Sequence, residues 1–209
     1  KDRAQEDVNR ILDSMETEVS DAFAAGLDRA EDAYEDAFEE AKGGVGTWLT
    51  TWGEDWERHI EDALATARQR YLDEVDTAID EVADLVGDKL TEAKQRVAEG
   101  RREVQDYVDG LDESVKTFGE EAMEAVSADF DAMETQIDER RDALVNSLTQ
   151  QYRESYERMS AMEERLRQEN QSLWQRVYNA TVGVVQKIIE FKNMLLGVLA
   201  RAANVVSDI

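Results

Sequence analysis

The single histidine, His59, has carboxylates on the neighbouring helical turns at Asp55 and Asp62, a spacing that could place two or three oxygen and nitrogen donors around a metal ion. No second histidine supports it. The Glu-x-x-His pattern of di-iron bundles is also missing, because position 56 is Trp. His59 therefore reads as an exposed side chain flanking an apolar seam. Two carboxylate ladders stand upstream: Asp28, Asp32, Asp36 and Glu40 at four-residue spacing, and Glu31, Glu35 and Glu39 beside them. They lack the loop and turn glycine of a calcium site, and read as a solvated acidic face. Like charges at that spacing weaken an isolated helix, so this segment should depend on salt, cations or a partner. There is no cysteine, no glycine-rich phosphate loop and no Ser, His, Asp constellation. The expectation is a non-enzymatic chain with no cofactor.

Three tryptophans, Trp48, Trp52 and Trp56, lie four apart, directly after Gly43, Gly44 and Gly46. Spaced in this way they could anchor at a membrane interface, but the reading preferred here is that they pack the elbow of a helical hairpin. The glycines mark where a helix should stop, since each costs roughly 1 kcal/mol relative to Ala in a helix interior. Thr51 and Glu54 fit a capping box that would start the next helix. Trp174 and Tyr178 repeat the aromatic arrangement after a second plausible joint at 170–172.

The elements that must position these residues are legible from apolar spacing. Across residues 60–177 apolar side chains recur every eleven residues. One row runs Ile60, Tyr71, Val82, Ala93, Val104, Val115, Val126, Ile137, Leu148, Met159. Two flanking rows fail at Gly119, Arg141 and Glu163, and at Lys89, Gly100 and Ser155, and the first row closes on the polar Asn170, yet 25 of 32 seam positions are apolar. Eleven residues in three turns gives a stripe that winds slowly and right-handedly. Val8, Val19, Ala30 and Ala41, with Leu12, Phe23 and Tyr34, continue the rhythm upstream. The fold expected is all-α: long amphipathic helices with eleven-residue periodicity, arranged as a helical hairpin or coiled-coil rod. The segments are an acidic helix over 1–42, a glycine hinge over 43–50, one long helix over 51–170 and an apolar helix over 171–209. Isolated glycines, Gly110 among them, do not by themselves compel a break, so the helix from 51 to 170 would extend on the order of 180 Å.

After Val177 the spacing shifts to seven residues, with Val184, Ile188, Phe191, Leu195 and Val198 among the inward positions. This stretch is expected to serve assembly or membrane contact, although its longest uncharged run is too short for a standard transmembrane helix. The 49 acidic residues exceed the 24 basic ones, for a formal charge of −25, and the imbalance sits in residues 1–139, which hold 41 acidic and 14 basic side chains. Such a field repels phosphates, so no nucleic-acid partner is expected. High-salt adaptation explains the acidity more simply than a basic partner does.

The stretch IIEFKNMLLGVLARAANVV, residues 188–206, resembles a segment of large modular proteins encoded beside extracellular contractile injection systems, which are phage-tail-like. The resemblance implies a cargo-like, toxin-like or tape-measure-like polypeptide, carried inside or attached to a secreted particle, with injection-tube components as partners. It implies an elongated scaffold or translocation segment, self-associating or wrapped by partner helices, with membrane contact through the C-terminal helix. It carries no catalytic residues. The alternatives are an amphipathic, apolipoprotein-like protein that lies on lipid surfaces, and a chain that folds only on its partner.

Overall fold

A computed structural model of the chain describes residues 1–43, 54–170, 191, 193–195 and 197. Three long helices account for nearly all of them: α1 (Asp2–Lys42), α2 (Glu54–Asp109) and α3 (Glu113–Asn170). Residues 191, 193–195 and 197 are also helical, and the described residues contain no strand. The chain is all-α. It divides into two compact units, one taking residues 1–20 and 83–146 together with residue 197, the other 21–82 and 147–170 together with residues 191 and 193–195.

In the first unit the ion pairs fix the direction of each helix. Asp7 and Glu18 of α1 bond Arg96 and Lys89, so α1 and α2 are antiparallel. Lys1 meets Asp129 and Glu16 meets Arg140, so α1 and α3 are parallel. Arg101 reaches Asp131 and Glu134 across the α2–α3 pair, which is antiparallel. The core between them is built from Ala4, Val8, Leu12, Met15 and Val19 of α1, Val86, Leu90, Ala93 and Val97 of α2, and Phe130, Met133, Ile137 and Leu144 of α3. Their steps of three and four residues put one stripe of each helix inward.

The second unit has its own core. Phe23, Leu27, Ala30, Tyr34 and Phe38 face Ile60, Leu64, Ala67, Tyr71, Val75 and Ala78, with Leu148, Tyr152, Met159 and Leu166 from α3. Full burial of each large apolar side chain contributes about 1.5–3 kcal/mol. Gly26 allows α1 to approach α2 closely: a Cβ there would lie 2.4 Å from the Cβ of Ala78.

One expectation is corrected. The helix over 51–170 is not continuous, because α2 ends at Asp109 and α3 begins at Glu113. Gly110 and Leu111 donate back to the carbonyls of Asp106 and Val108, closing the end of α2, and the Asp112 carbonyl accepts from Val115 to open α3. Asp109-Gly110 is a turn dipeptide, and Asp112 has the residue type favoured before a first helical turn. A tight reversal lets α3 cover the stripe of α2, a need that a lone helix would leave unmet.

Candidate functional site

The hinge and elbow residues lie in part among the described positions. Gly43 has a φ of 72° and donates to the Glu40 carbonyl, a left-handed helix end that glycine adopts without steric cost. Gly44, Gly46, Trp48 and Trp52 lie outside the described residues, as does the start of the Thr51 capping box. Trp56 is half-buried and its ring sits 5.6 Å from that of His59. Its indole Nε1–H donates to the carbonyl of Asn170, the last residue of α3, at 3.1 Å. His59 Nε2–H donates to the carbonyl of Lys42, the last residue of α1, at 2.9 Å. One turn of α2 thus caps the ends of both neighbouring helices, whose last carbonyls have no partner within their own helix. This corrects the reading of His59 as exposed: it is half-buried, and one ring nitrogen is committed to a backbone carbonyl.

The acidic ladders also resolve into pairs. Glu31 accepts a fork from Arg158, Glu35 pairs with Arg165, and Glu39 with Lys42. Asp28, Asp32, Asp36 and Glu40 are exposed. Among the described residues no group of three or more His, Asp or Glu side chains is arranged to hold a metal ion.

Deeper in the second unit is a polar cluster that the seam pattern registered only as exceptions. Glu163 is buried and accepts from Arg68, whose Nε lies 3.1 Å away, and from Arg167 at 3.1 Å. Arg167 reaches Glu61 as well, at 3.0 Å. Burial opposes the charge on Arg68, but the hydrogen bonds and charge of Glu163 outweigh it and hold the guanidinium pKa above its ordinary value. The Glu61 hydrogen bond is the largest influence raising Arg167. The Tyr34 hydroxyl is buried beside this cluster without a hydrogen bond of acceptable geometry; burial and the nearby Glu163 push its pKa well up. One helical layer away, Tyr71 and Ser155 share a buried hydrogen bond of 2.9 Å. Burial raises the Tyr71 phenol and the Ser155 bond partly opposes it.

The other interruptions in the seam belong to the first unit and serve the same end. Lys89 bonds Ser14 and Glu18, and Gly100 makes room for Phe130 and Ala4. Arg141 is held by Asp138 and Asp142, and Gly119 sits against Leu111 and Val108. A slowly winding apolar stripe can slide along its partner by a turn, whereas five of these six positions each suit one register; Arg141 pairs within its own helix. Sequence periodicity located them without revealing their partners.

Of the C-terminal residues, Phe191 stacks on Tyr152 at 4.1 Å and lies 5.8 Å from Phe23, and Leu195 is fully buried. Val184, Ile188 and Val198 lie outside the described residues, with Trp174 and Tyr178. Among the described residues no helix is long and apolar enough to cross a membrane. Comparison with protein-family models, curated proteins and solved structures finds no match.

Proposed function

We propose that this chain is a non-enzymatic helical assembly element, an elongated scaffold or translocation segment of a polypeptide associated with a phage-tail-like injection system. In this reading the eleven-residue stripe winds as a slow right-handed coiled coil, and the apolar C-terminal helix serves assembly or membrane contact. One observation carries it: outside the tip around Tyr107, Val115 and Phe118, the apolar stripes of α1, α2 and α3 cover one another within each unit, in a register held by the Glu163, Ser155, Lys89 and Gly100 positions. A bundle that covers its own stripes in this way suits a spacer. The association with an injection machine rests on the resemblance of residues 188–206 alone.

The lipid-surface alternative needs an apolar face free to meet acyl chains, and usually Lys or Arg along its edge. Here Phe191 is already stacked on Tyr152, and Leu195 is buried. Circular dichroism with and without anionic vesicles tests the proposal. Strong helicity in buffer, unchanged by vesicles, is expected. Helicity that appears only with lipid would overturn the scaffold reading.

A further inference from the structure

Within the first unit, α1 covers the α2–α3 pair up to the point where Ala4 approaches Gly100 and Phe130 and Lys1 bonds Asp129. From there to the turn at 110–112, the described contacts are between α2 and α3 alone, as where Gly119 meets Val108 and Leu111. The faces that hold α1 nevertheless continue. Tyr107 stands eleven residues beyond Arg96, which binds Asp7 of α1, and Phe118 stands eleven residues before Asp129, which binds Lys1. Eleven residues make three turns, so both aromatics lie on the α1-bearing side of the pair. They are 71% and 73% exposed. The seam tells the same story: Ile137 is fully buried, while Val115, twenty-two residues before it on the same row, is 44% exposed. Among the described residues, none takes the third-helix position at this tip.

Charge specifies the occupant. Where α1 lies, the helices facing it supply cations, Lys89, Arg96 and Arg140, against its Glu18, Asp7, Asp13 and Glu16. The tip reverses this balance: between Gly100 and Phe130 nine acidic side chains stand against Arg101, Arg102 and Lys116, and Arg101 is already paired with Asp131 and Glu134. The acidic bulk of a second copy, residues 1–139, would meet like charge there. We propose that the tip of the α2–α3 hairpin, around Tyr107, Val115 and Phe118, docks a basic amphipathic helix of a partner protein. The apolar stripe of that helix would cover the aromatics, and its Lys or Arg flanks would face Glu103, Asp106 and their neighbours.

The test uses the full chain and two labelled 21-residue probes, one a Lys/Leu amphipathic helix and the other its Glu/Leu counterpart. Fluorescence anisotropy should show binding of the Lys/Leu probe, weakening with salt, and none of the Glu/Leu probe. Replacing Tyr107 and Phe118 together by Ser should weaken it at least tenfold, whereas Asp32→Asn with Asp36→Asn, which removes charge elsewhere, should leave it unchanged. Because both aromatics are largely exposed, the fold should survive, as circular dichroism would verify. Equal binding by the Ser variant, or equal binding of both probes, would overturn the proposal. So would a dimer in sedimentation velocity that the Ser variant dissolves, since a second copy would then be the occupant.

Discussion

Two tyrosines at equivalent depth in the second unit make different demands on their surroundings. Tyr71 shares its hydroxyl with Ser155, whereas the Tyr34 hydroxyl is buried without a well-formed bond. Removing the first leaves a buried serine hydroxyl without its partner, and removing the second leaves nothing behind. Tyr71→Phe should therefore destabilise the chain by about 1 kcal/mol, while Tyr34→Phe should be neutral or stabilising, as measured by urea unfolding. Both phenols are held above their ordinary value, chiefly by burial. A raised pKa in the folded state means that this contribution is intact below the unfolded value of about 10 and is lost as the pH climbs above it. Alkaline unfolding should accordingly shift to higher pH in Tyr34→Phe. An equal cost for both substitutions at neutral pH would show that Tyr34 has a partner after all.

At the scale of the element, α1 is fastened to α2 by a clamp in one unit and by a close approach in the other. In the first unit the Arg96 hydrogen bond holds the Asp7 carboxyl below the usual range, and Ser14 with Lys89 does the same for Glu18. A depressed carboxyl stabilises the fold above the unfolded value of about 4 and stops doing so as the pH falls through the folded one. Asp7→Asn should lower the melting temperature at pH 7, and the difference from the parent should shrink as the pH falls below about 4. In the second unit, Gly26→Ala gains up to about 1 kcal/mol of helix propensity but sets two Cβ atoms 2.4 Å apart, and neither can rotate away. The helices must separate, so a net loss of about 1–2 kcal/mol is expected from denaturant titration. A stabilised variant would mean that α1 and α2 are not held this closely. The inward faces of these elements were legible in the sequence, because a stripe at helical spacing reports which side chains need cover: Val8, Leu12, Val19, Phe23, Ala30 and Tyr34 are all buried. The reversal at 110–112 was not legible from that signal. Periodicity carries no direction, and the rhythm passes from Val104 to Val115 across the turn in unbroken phase. The capping roles of Trp56 and His59 escaped notice for a different reason, since each depends on a helix end more than fifteen residues away in sequence.

For the whole molecule the governing quantity is charge, and two contributions to it respond to salt in opposite directions. Ion pairs between helices, such as Arg158 with Glu31 and Arg140 with Glu16, weaken as salt is added, but each pair at a surface contributes only a fraction of a kcal/mol. Against them stands a formal charge of −25, spread over faces where carboxylates crowd one another. Asp76 illustrates the crowding: burial raises its carboxyl pKa most, and Asp73 and Asp80 raise it further. The unfolded chain holds the same charges farther apart, so their repulsion opposes folding. At about 10 mM ionic strength the screening length is roughly 30 Å and every carboxylate senses many others, whereas near 1 M it is roughly 3 Å and only close pairs remain. The excess of 49 acidic over 24 basic residues should decide the balance. The melting temperature is expected to rise steadily with NaCl between those limits, most steeply at the dilute end, where long-range repulsion is removed first. A melting temperature that instead falls with NaCl would mean that the pairs between helices outweigh the net charge, and that the chain tolerates its acidity by local neutralisation.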